Sequence, residues 1–329
     1  MLQWQLEHSR DDHLGPLFVA HTYRFKGPAT SVVTTLIEHL KNPDSHQAIL
    51  YLHGYTDYFF QHDLAEHVAA QGKRFFALDL QGYGRSIRPN TPPNWCESME
   101  QYHDDITIAL AEMANKGVSE VVIMAHSTGG LIASSFLAKE FDMTQERNLP
   151  FPAIKGLILN SPFLALPFPP KVLKRLSWPI WLAVSLLPFH SLRAQKISTY
   201  AKTLHRSFAG EWDYRLDWKP AQGFPLSFHW LKQIILAQRN LHKQQIETPT
   251  LLCHSACSTL KSEDLDYTRQ GDGVLDVESM KQAAQSTFAN LQLRSIKGGF
   301  HDLFLSPKNV RDDYLEQLDH WLINRAFKD

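Results

Sequence analysis

The sequence contains few cysteines and no segment typical of export. Its 329 residues include three cysteines, Cys96, Cys253 and Cys257, which are too few for a disulfide framework. The N-terminus has no basic stretch followed by an apolar core, as a secretory signal would. His254 lies between Cys253 and Cys257, but no second ligand cluster follows at the spacing of a zinc site. We therefore expect a reducing, cytoplasmic setting and no bound metal.

The sequence also lacks a charge excess and a long apolar run. Its formal charge is −1, which provides no general attraction to nucleic acid. The longest nearly apolar run, residues 176–189, falls well short of the roughly 20 residues that cross a bilayer, and it contains two prolines. A nucleic-acid-binding protein and a transmembrane protein are thus both disfavoured.

Apolar strand patterns alternate with helical patterns along most of the chain. In chain order, the clearest strand patterns are residues 47–54, 73–80, 121–125, 154–163, 248–256 and 291–299. Repeated β-α units with short connections predict an α/β protein with a mostly parallel central sheet and helices on both faces. No internal repeat or low-complexity tract is present.

Residues 162–247, here called the insertion, interrupt this alternation. If the pattern at 47–54 is the third strand, the interruption follows the sixth. The insertion is rich in proline and tryptophan and has helical patterns, for example at 227–243. We therefore predict a core formed by residues 1–161 and 248–329, with residues 162–247 as a helical cap.

The insertion differs in charge from the remainder of the chain. It carries twelve Lys and Arg against four Asp and Glu, whereas the remainder carries 21 against 30. Lys171, Lys174 and Arg175 precede the apolar run, as would suit contact with an anionic membrane. The alternative is a cap that packs its apolar face on a pocket and leaves its charges in solvent. In either case we expect Trp178 and Trp181 to contact substrate.

The run VVIMAHSTGG, residues 121–130, predicts a strand that turns sharply into a helix at Ser127. Small residues two positions on either side of a serine allow the strand and helix to approach closely, which is the reason for the pattern G-x-S-x-G. Ala125 stands at the first glycine position and Gly129 at the second. The serine then lies at a helix N-terminus, where negative charge is stabilised. A buried strand followed by a capped helix is the structural alternative.

A nucleophilic serine requires a base and an acid, which follow it in the order acid, then histidine, in sheets of this type. His301 follows the last strand pattern after Gly298 and Gly299, and is the predicted base. For the acid we favour Asp272, in the turn QGDGVLD, with Asp276 as the second candidate. A turn or helix-cap residue is the structural alternative for either aspartate.

Four motifs in order resemble the α/β-hydrolase superfamily, within it the monoacylglycerol lipase, lysophospholipase and serine aminopeptidase-like branch. They are HGYTDYF from His53, DLQGYGRS from Asp79, AHSTGG around Ser127, and GGFHDLF around His301. One departure is the excursion SACSTLKSEDLDYTRQG, which separates the strand from Asp272.

The resemblance implies further roles. It assigns the oxyanion hole to the backbone N–H groups of Tyr55 and Thr128, and it implies no cofactor. His126 matches a lipase-like position and is expected beside the substrate, as a packing and positioning residue. Asp57 and Tyr58 are expected either to line the pocket or to cap the next helix.

The main hypothesis is a serine hydrolase of carboxylic esters, with monoacylglycerol- or lysophospholipid-like substrates. One alternative is an aminopeptidase or amidase with the same triad. Another is a ligand-binding protein of the same fold with little turnover.

Overall fold

A computed structural model describes residues 3–26, 32–147, 149–167, 170–187, 190–194, 196–260 and 262–327. Nine strands form the main sheet, and two further short strands lie in the insertion. In chain order the strands are β1 Trp4–Asp11, β2 Phe18–Phe25, β3 Val33–His39, β4 Gln47–Leu52, β5 Arg74–Asp79, β6 Glu120–His126, β7 Ala153–Asn160, β8 Ser191–Leu192, β9 Leu226–Ser227, β10 Thr250–Ser255 and β11 Leu291–Ile296.

The helices connect these strands and cover them. They are α1 His62–Ala70, α2 Gln101–Asn115, α3 Thr128–Arg147, α4 Pro170–Leu186, α5 Thr199–Leu204, α6 Phe228–Leu241, α7 Leu265–Thr268, α8 Val277–Thr287 and α9 Lys308–Trp321. Within the described part of the chain, none of them combines the length and the apolar character needed to cross a bilayer.

The main sheet has the strand order β1-β2-β3-β5-β4-β6-β7-β10-β11. Pairing is antiparallel from β1 to β5 and parallel from β5 to β11. The predicted mostly parallel sheet is therefore confirmed. The carboxyl ends of its parallel strands meet at one edge, which is where sheets of this kind bind ligands.

Strands buried on both faces explain why helices cover both sides. In β4, Leu50 and Leu52 pack into one apolar cluster with α2, α3 and α8. Ile49 and Tyr51 point the other way, into a second cluster with α1 and α9. Successive side chains of a strand alternate between faces, so a continuous apolar run produces two cores.

The position of the insertion requires one correction. The sequence suggested that it follows the sixth strand, but the structure places seven strands before it, β1 to β7. The N-terminal region forms three antiparallel strands, and β1 is too polar and exposed to show an apolar pattern. The insertion also contains a two-stranded sheet, β8 with β9, besides helices α4, α5 and α6.

Candidate active site

Ser127 occupies a tight turn between β6 and α3. Its φ is 51°, in the left-handed region that residues with a side chain seldom adopt. At Gly129 a Cβ atom would lie 2.4 Å from the carbonyl oxygen of His53, so only glycine allows this approach of α3 to β4. The turn thus holds the Ser127 hydroxyl at the N-terminus of α3, at the carboxyl edge of the parallel strands.

The structure brings Ser127, His301 and Asp272 together in one buried chain of contacts. Nε2 of His301 lies 2.9 Å from Oγ of Ser127. Nδ1 of the same ring lies 2.9 Å from Oδ2 of Asp272. The three side chains come from turns after β6, β10 and β11, and all three are buried. This is the geometry in which a histidine can accept a serine proton while a carboxylate orients it.

The two candidate acids have different surroundings. Oδ1 of Asp272 accepts hydrogen bonds from the backbone N–H groups of Val274 and Leu275, both at 2.8 Å, which leaves Oδ2 for His301. Asp276 instead caps α8, where its carboxylate accepts from the N–H of Ser279 at 2.9 Å. Asp272 is therefore the aspartate that contacts the His301 imidazole, whereas Asp276 caps α8.

The loop from His53 to Tyr58 lies directly against the serine. A Cβ atom on Gly54 would lie 3.1 Å from Cβ of Ser127. Tyr55 and Thr128, the two residues predicted to supply oxyanion donors, line the same cavity as Ser127. Because Thr128 is the first residue of α3, its N–H is one of the four that a helix leaves without an internal partner.

A cavity of about 550 Å³ opens above the serine, between the core and the insertion. Its lining is mainly apolar and includes Phe163, Leu166, Leu204, Leu226, Trp230 and Leu275. A larger groove of about 720 Å³, lined by residues such as Arg88, Glu97 and Lys139, lies elsewhere on the molecule. We regard the smaller cavity as the candidate site because Ser127 and His301 line it.

Not all of the residues that the sequence predicted to contact substrate line the cavity. His126 lines the cavity. Tyr58 does not: it is buried behind it, and its hydroxyl accepts a hydrogen bond from the N–H of Arg215 at 2.7 Å. Trp178 and Trp181 are also outside the lining, because Trp178 faces away from the core and Trp181 packs under Arg239 of α6. The insertion contacts the cavity through other residues.

The structure places several residues around His301 that no sequence pattern had indicated. The ring of Tyr200, from α5, stands edge-on to His301 with centroids 5.8 Å apart. Its hydroxyl accepts a hydrogen bond from the N–H of Asp302 at 3.1 Å. The Asp302 carboxylate in turn accepts from Asn160 at 2.8 Å and Gln61 at 3.2 Å. These contacts fix the turn that carries His301.

One ion pair crosses the cavity wall. Asp57 of the core is paired with Lys219 of the insertion, with Oδ1 and Nζ 2.5 Å apart. Burial alone would raise the pKa of Asp57, but its interactions with Lys219 and with the nearby His126 and His53 together outweigh burial, and the pKa lies below its usual value. Burial also lowers the pKa of His126, so that its ring is neutral near pH 7. Among the described lining residues, Asp57 and Lys219 are the one carboxylate and the one ammonium, and they neutralise each other.

Comparison with known proteins gives a family and a shared fold. A family model, Hydrolase_4, described as "Serine aminopeptidase, S33", matches residues 43–308. A curated relative, "Probable lysophospholipase BODYGUARD 4" of Arabidopsis thaliana, is 26% identical over 120 residues, or 34% of this chain. The match spans 27% of that relative, so the chain spans about a quarter of its length.

Two solved structures resemble most of the chain. One is a soluble variant of monoglyceride lipase from Saccharomyces cerevisiae, in complex with a substrate analog. It is 16% identical, with coverage of 90% of this chain and 93% of that one and a TM-score of 0.65. The other is a monoacylglycerol lipase from Paleococcus ferrophilus, which is 17% identical, with coverage of 84% and 93% and a TM-score of 0.57. At these identities the likeness establishes a shared fold.

Proposed function

Because the chain belongs to the Hydrolase_4 family, described as "Serine aminopeptidase, S33", and has the α/β-hydrolase fold, we propose that it is a serine hydrolase of carboxylic esters. The reaction proceeds through an acyl-enzyme intermediate. The observation that carries this proposal is the contact chain from Ser127 through His301 to Asp272, at the floor of an apolar cavity.

The proposed reaction begins when Nε2 of His301 accepts the Ser127 proton. Oγ then attacks the ester carbonyl, and Asp272 stabilises the imidazolium that forms. The N–H groups of Tyr55 and Thr128 hold the negative charge that develops on the carbonyl oxygen. Loss of one such donor raises the barrier by about 3 to 4 kcal/mol. His301 next protonates the leaving alcohol, and a water molecule, activated by the same base, releases the acid and restores Ser127.

The cavity favours an ester with an apolar chain and an uncharged head group. Its lining is mainly apolar, and its one described carboxylate and one described ammonium are already paired with each other. A charged head group would need its own partner there, since a buried charge without one is costly. Of the two lipid classes considered, a monoacylglycerol-type substrate is therefore preferred to a lysophospholipid-type one.

The same observation weighs against an aminopeptidase. Recognition of a substrate ammonium calls for a free carboxylate, and Asp57 is already used by Lys219. Pure ligand binding is disfavoured as well, because it has no need for a serine, a histidine and an aspartate in hydrogen-bonding contact. We therefore rank ester hydrolysis first.

A substrate panel tests this assignment. We expect kcat/KM on p-nitrophenyl esters to rise with acyl length until the cavity is filled, by up to about 0.8 kcal/mol, or roughly fourfold, for each CH2. A monoacylglycerol should exceed the lysophosphatidylcholine of equal chain length at least about tenfold, because the phosphate would be buried without a partner. Initial rates give both results, and faster cleavage of aminoacyl p-nitroanilides than of any ester would contradict the proposal.

We further propose that the exposed face of α4 contacts an anionic membrane surface. Trp178, Leu182 and Leu186 recur at helical spacing on this face, and Trp178 and Leu186 are 70% and 69% exposed. Exposed Arg193 and Lys196 follow in sequence. The side chains of Lys171, Lys174 and Arg175 lie outside the described residues. Apolar and basic groups together favour an interface with anionic lipid.

Sedimentation with lipid vesicles tests this contact. We expect the protein to bind vesicles with a large fraction of phosphatidylglycerol, and to bind less as salt is raised. The double variant Trp178→Ser/Leu186→Ser should lose most of this binding, since it removes the apolar contact. Leu6→Ser/Ile323→Ser, which changes two exposed apolar residues elsewhere, is the control. Equal binding by the two double variants would contradict the proposal.

A further inference from the structure

The insertion contacts the loop beside Ser127 at four consecutive residues. Tyr55 donates its hydroxyl to the carbonyl of Pro225 at 3.2 Å. The other three contacts are Thr56 Oγ1 with the N–H of Phe224 at 3.3 Å, Asp57 with Lys219, and Tyr58 with the N–H of Arg215 at 2.7 Å. All four partners lie in residues 214–230, here called the clasp. One segment of the insertion thus contacts four consecutive residues of the loop that carries the proposed Tyr55 donor.

The contact between Asp57 and Lys219 is an ion pair with little exposure to solvent. The Asp57 side chain is 2% exposed and that of Lys219 is 14% exposed. The ammonium also lies 5.2 Å from the ring centroid of Phe60 and 5.5 Å from that of Tyr214, which fixes its approach. The other carboxylate oxygen of Asp57 accepts a hydrogen bond from the N–H of Gly54 at 3.3 Å. A connected path therefore runs from Lys219 through Asp57 to the residue immediately before Tyr55.

The loop needs such support because its backbone is strained. Thr56 has a φ of 49°, a left-handed conformation that β-branched residues rarely adopt. Strained residues of this kind persist where surrounding contacts over-determine them. At Thr56 these contacts come from Phe224 in the clasp and from Asn94, whose Oδ1 accepts from the Thr56 hydroxyl at 3.2 Å. Without the clasp, the loop would lose one of these two contacts at Thr56 and the other three contacts with the insertion described above.

We propose that the clasp sets the position of the Tyr55 N–H, and that Lys219 is the positioning residue through which it does so. This inference rests on the proposed function, because it assigns the insertion a part in the oxyanion hole of that reaction. Among the described hydrogen bonds and ion pairs, Lys219 is joined to neither the nucleophile nor the base, and in this proposal its effect reaches the reaction through Asp57 and Gly54. The insertion would then do more than cover the cavity, since the donor would be aligned only while the clasp is in place.

The variant Lys219→Met tests the positioning role. Methionine is an unbranched apolar side chain of similar length to lysine, so the substitution removes the positive charge and changes the shape little. We expect kcat to fall about 10- to 100-fold, because displacing an oxyanion donor removes part of the transition-state stabilisation that deleting it would remove. KM should change less than about threefold. Lys219→Arg keeps the cation and should recover most of kcat. Lys243→Met, at an exposed lysine of the insertion, is the matched control and should resemble the wild type.

A transition-state mimic separates positioning from a merely structural role. An alkyl trifluoromethyl ketone forms a tetrahedral adduct with the serine, and the oxyanion of this adduct requires the same donors. We expect its inhibition constant to rise in Lys219→Met by about the factor by which kcat falls. A fall in kcat with an unchanged inhibition constant would overturn the proposal, and so would a rise in KM with kcat unchanged.

A double-mutant cycle protects the test against misfolding. Lys219→Met leaves the Asp57 charge buried without its partner, whereas Lys219→Met/Asp57→Asn removes both charges and keeps an acceptor for Gly54. If Lys219 acts through Asp57, the double variant should lose no more kcat than the worse single variant. Additive losses would overturn the proposal. Absence of ester turnover by the wild type overturns the proposed function as well. If the wild type is active and Lys219→Met has the same kcat as Lys243→Met, only the proposal about the clasp is overturned.

Discussion

Replacing Ser127 with alanine is expected to lower kcat/KM on the best ester by roughly 10⁴- to 10⁶-fold, the range seen when a catalytic nucleophile is removed. The hydroxyl that lies 2.9 Å from Nε2 of His301 is the only group at that contact that can form the acyl-enzyme. The residual rate would come from binding and from the oxyanion donors. Initial rates on p-nitrophenyl esters measure the loss.

Two controls establish that the loss is chemical. A fluorophosphonate should label the wild type at the peptide that contains Ser127 and should not label Ser127→Ala. Ser134 is a buried serine of α3 whose hydroxyl donates to the carbonyl of Gly130, and Ser134→Ala should remain active and be labelled. Labelling of Ser127→Ala at another residue, with activity retained, would contradict the assignment of the nucleophile.

Replacing Asp272 with asparagine is expected to lower kcat by about 10⁴-fold with little change in folding. Asparagine keeps an oxygen that accepts from Val274 and Leu275, so the turn survives. Its NH2 group would face Nδ1 of His301 in place of a carboxylate oxygen. The imidazole would then favour the tautomer with its proton on Nε2, where it cannot accept the Ser127 proton.

The matched substitution is Asp276→Asn. Because asparagine also caps helices well, this variant should keep both its activity and its thermal unfolding midpoint close to those of the wild type. Circular dichroism and initial rates on the same samples separate the two effects. A larger loss of kcat at Asp276 than at Asp272 would overturn the choice of acid.

The central part of the fold is predictable because its strands are buried on both faces. Such strands produce continuous apolar runs, and these runs identify β4, β5, β6, β7 and β10 without any tertiary information. The first strand of the chain, β1, is a polar edge strand, so its identity depends on pairing with β2. The family resemblance drawn from the four motifs is likewise confirmed by the match over residues 43–308.

Site residues at strand ends carry local signals, whereas the others depend on contacts distant in sequence. Ser127 follows directly on β6, and His301 follows β11 after a short turn that contains Gly298 and Gly299. The choice between Asp272 and Asp276 is different, because backbone hydrogen bonds join Asp272 to Cys257 and Thr259 across the excursion. No pattern in the sequence indicates that pairing.

The orientation of aromatic and basic side chains in the insertion was the least predictable feature. We expected Trp178 and Trp181 to contact substrate, but neither lines the cavity. Trp178 is exposed to solvent, and Trp181 packs against Arg239. Lys219 is one of twelve basic residues in the insertion and had no distinguishing signal. Its partner, Asp57, lies 162 positions away in the chain, so only folding identifies the pair.

The insertion leaves and re-enters the sheet between two neighbouring strands. β7 ends at Asn160 and β10 begins at Thr250, which pairs with Leu157 of β7, so the segment starts and finishes at neighbouring strands of the sheet. An exchange of residues 162–247 for the equivalent segment of another hydrolase would therefore leave the sheet intact and transfer the choice of ester. If the clasp acts as proposed, such a chimaera should lose kcat as Lys219→Met does unless the new segment supplies a cation opposite Asp57, which makes this one side chain the compatibility requirement for grafting.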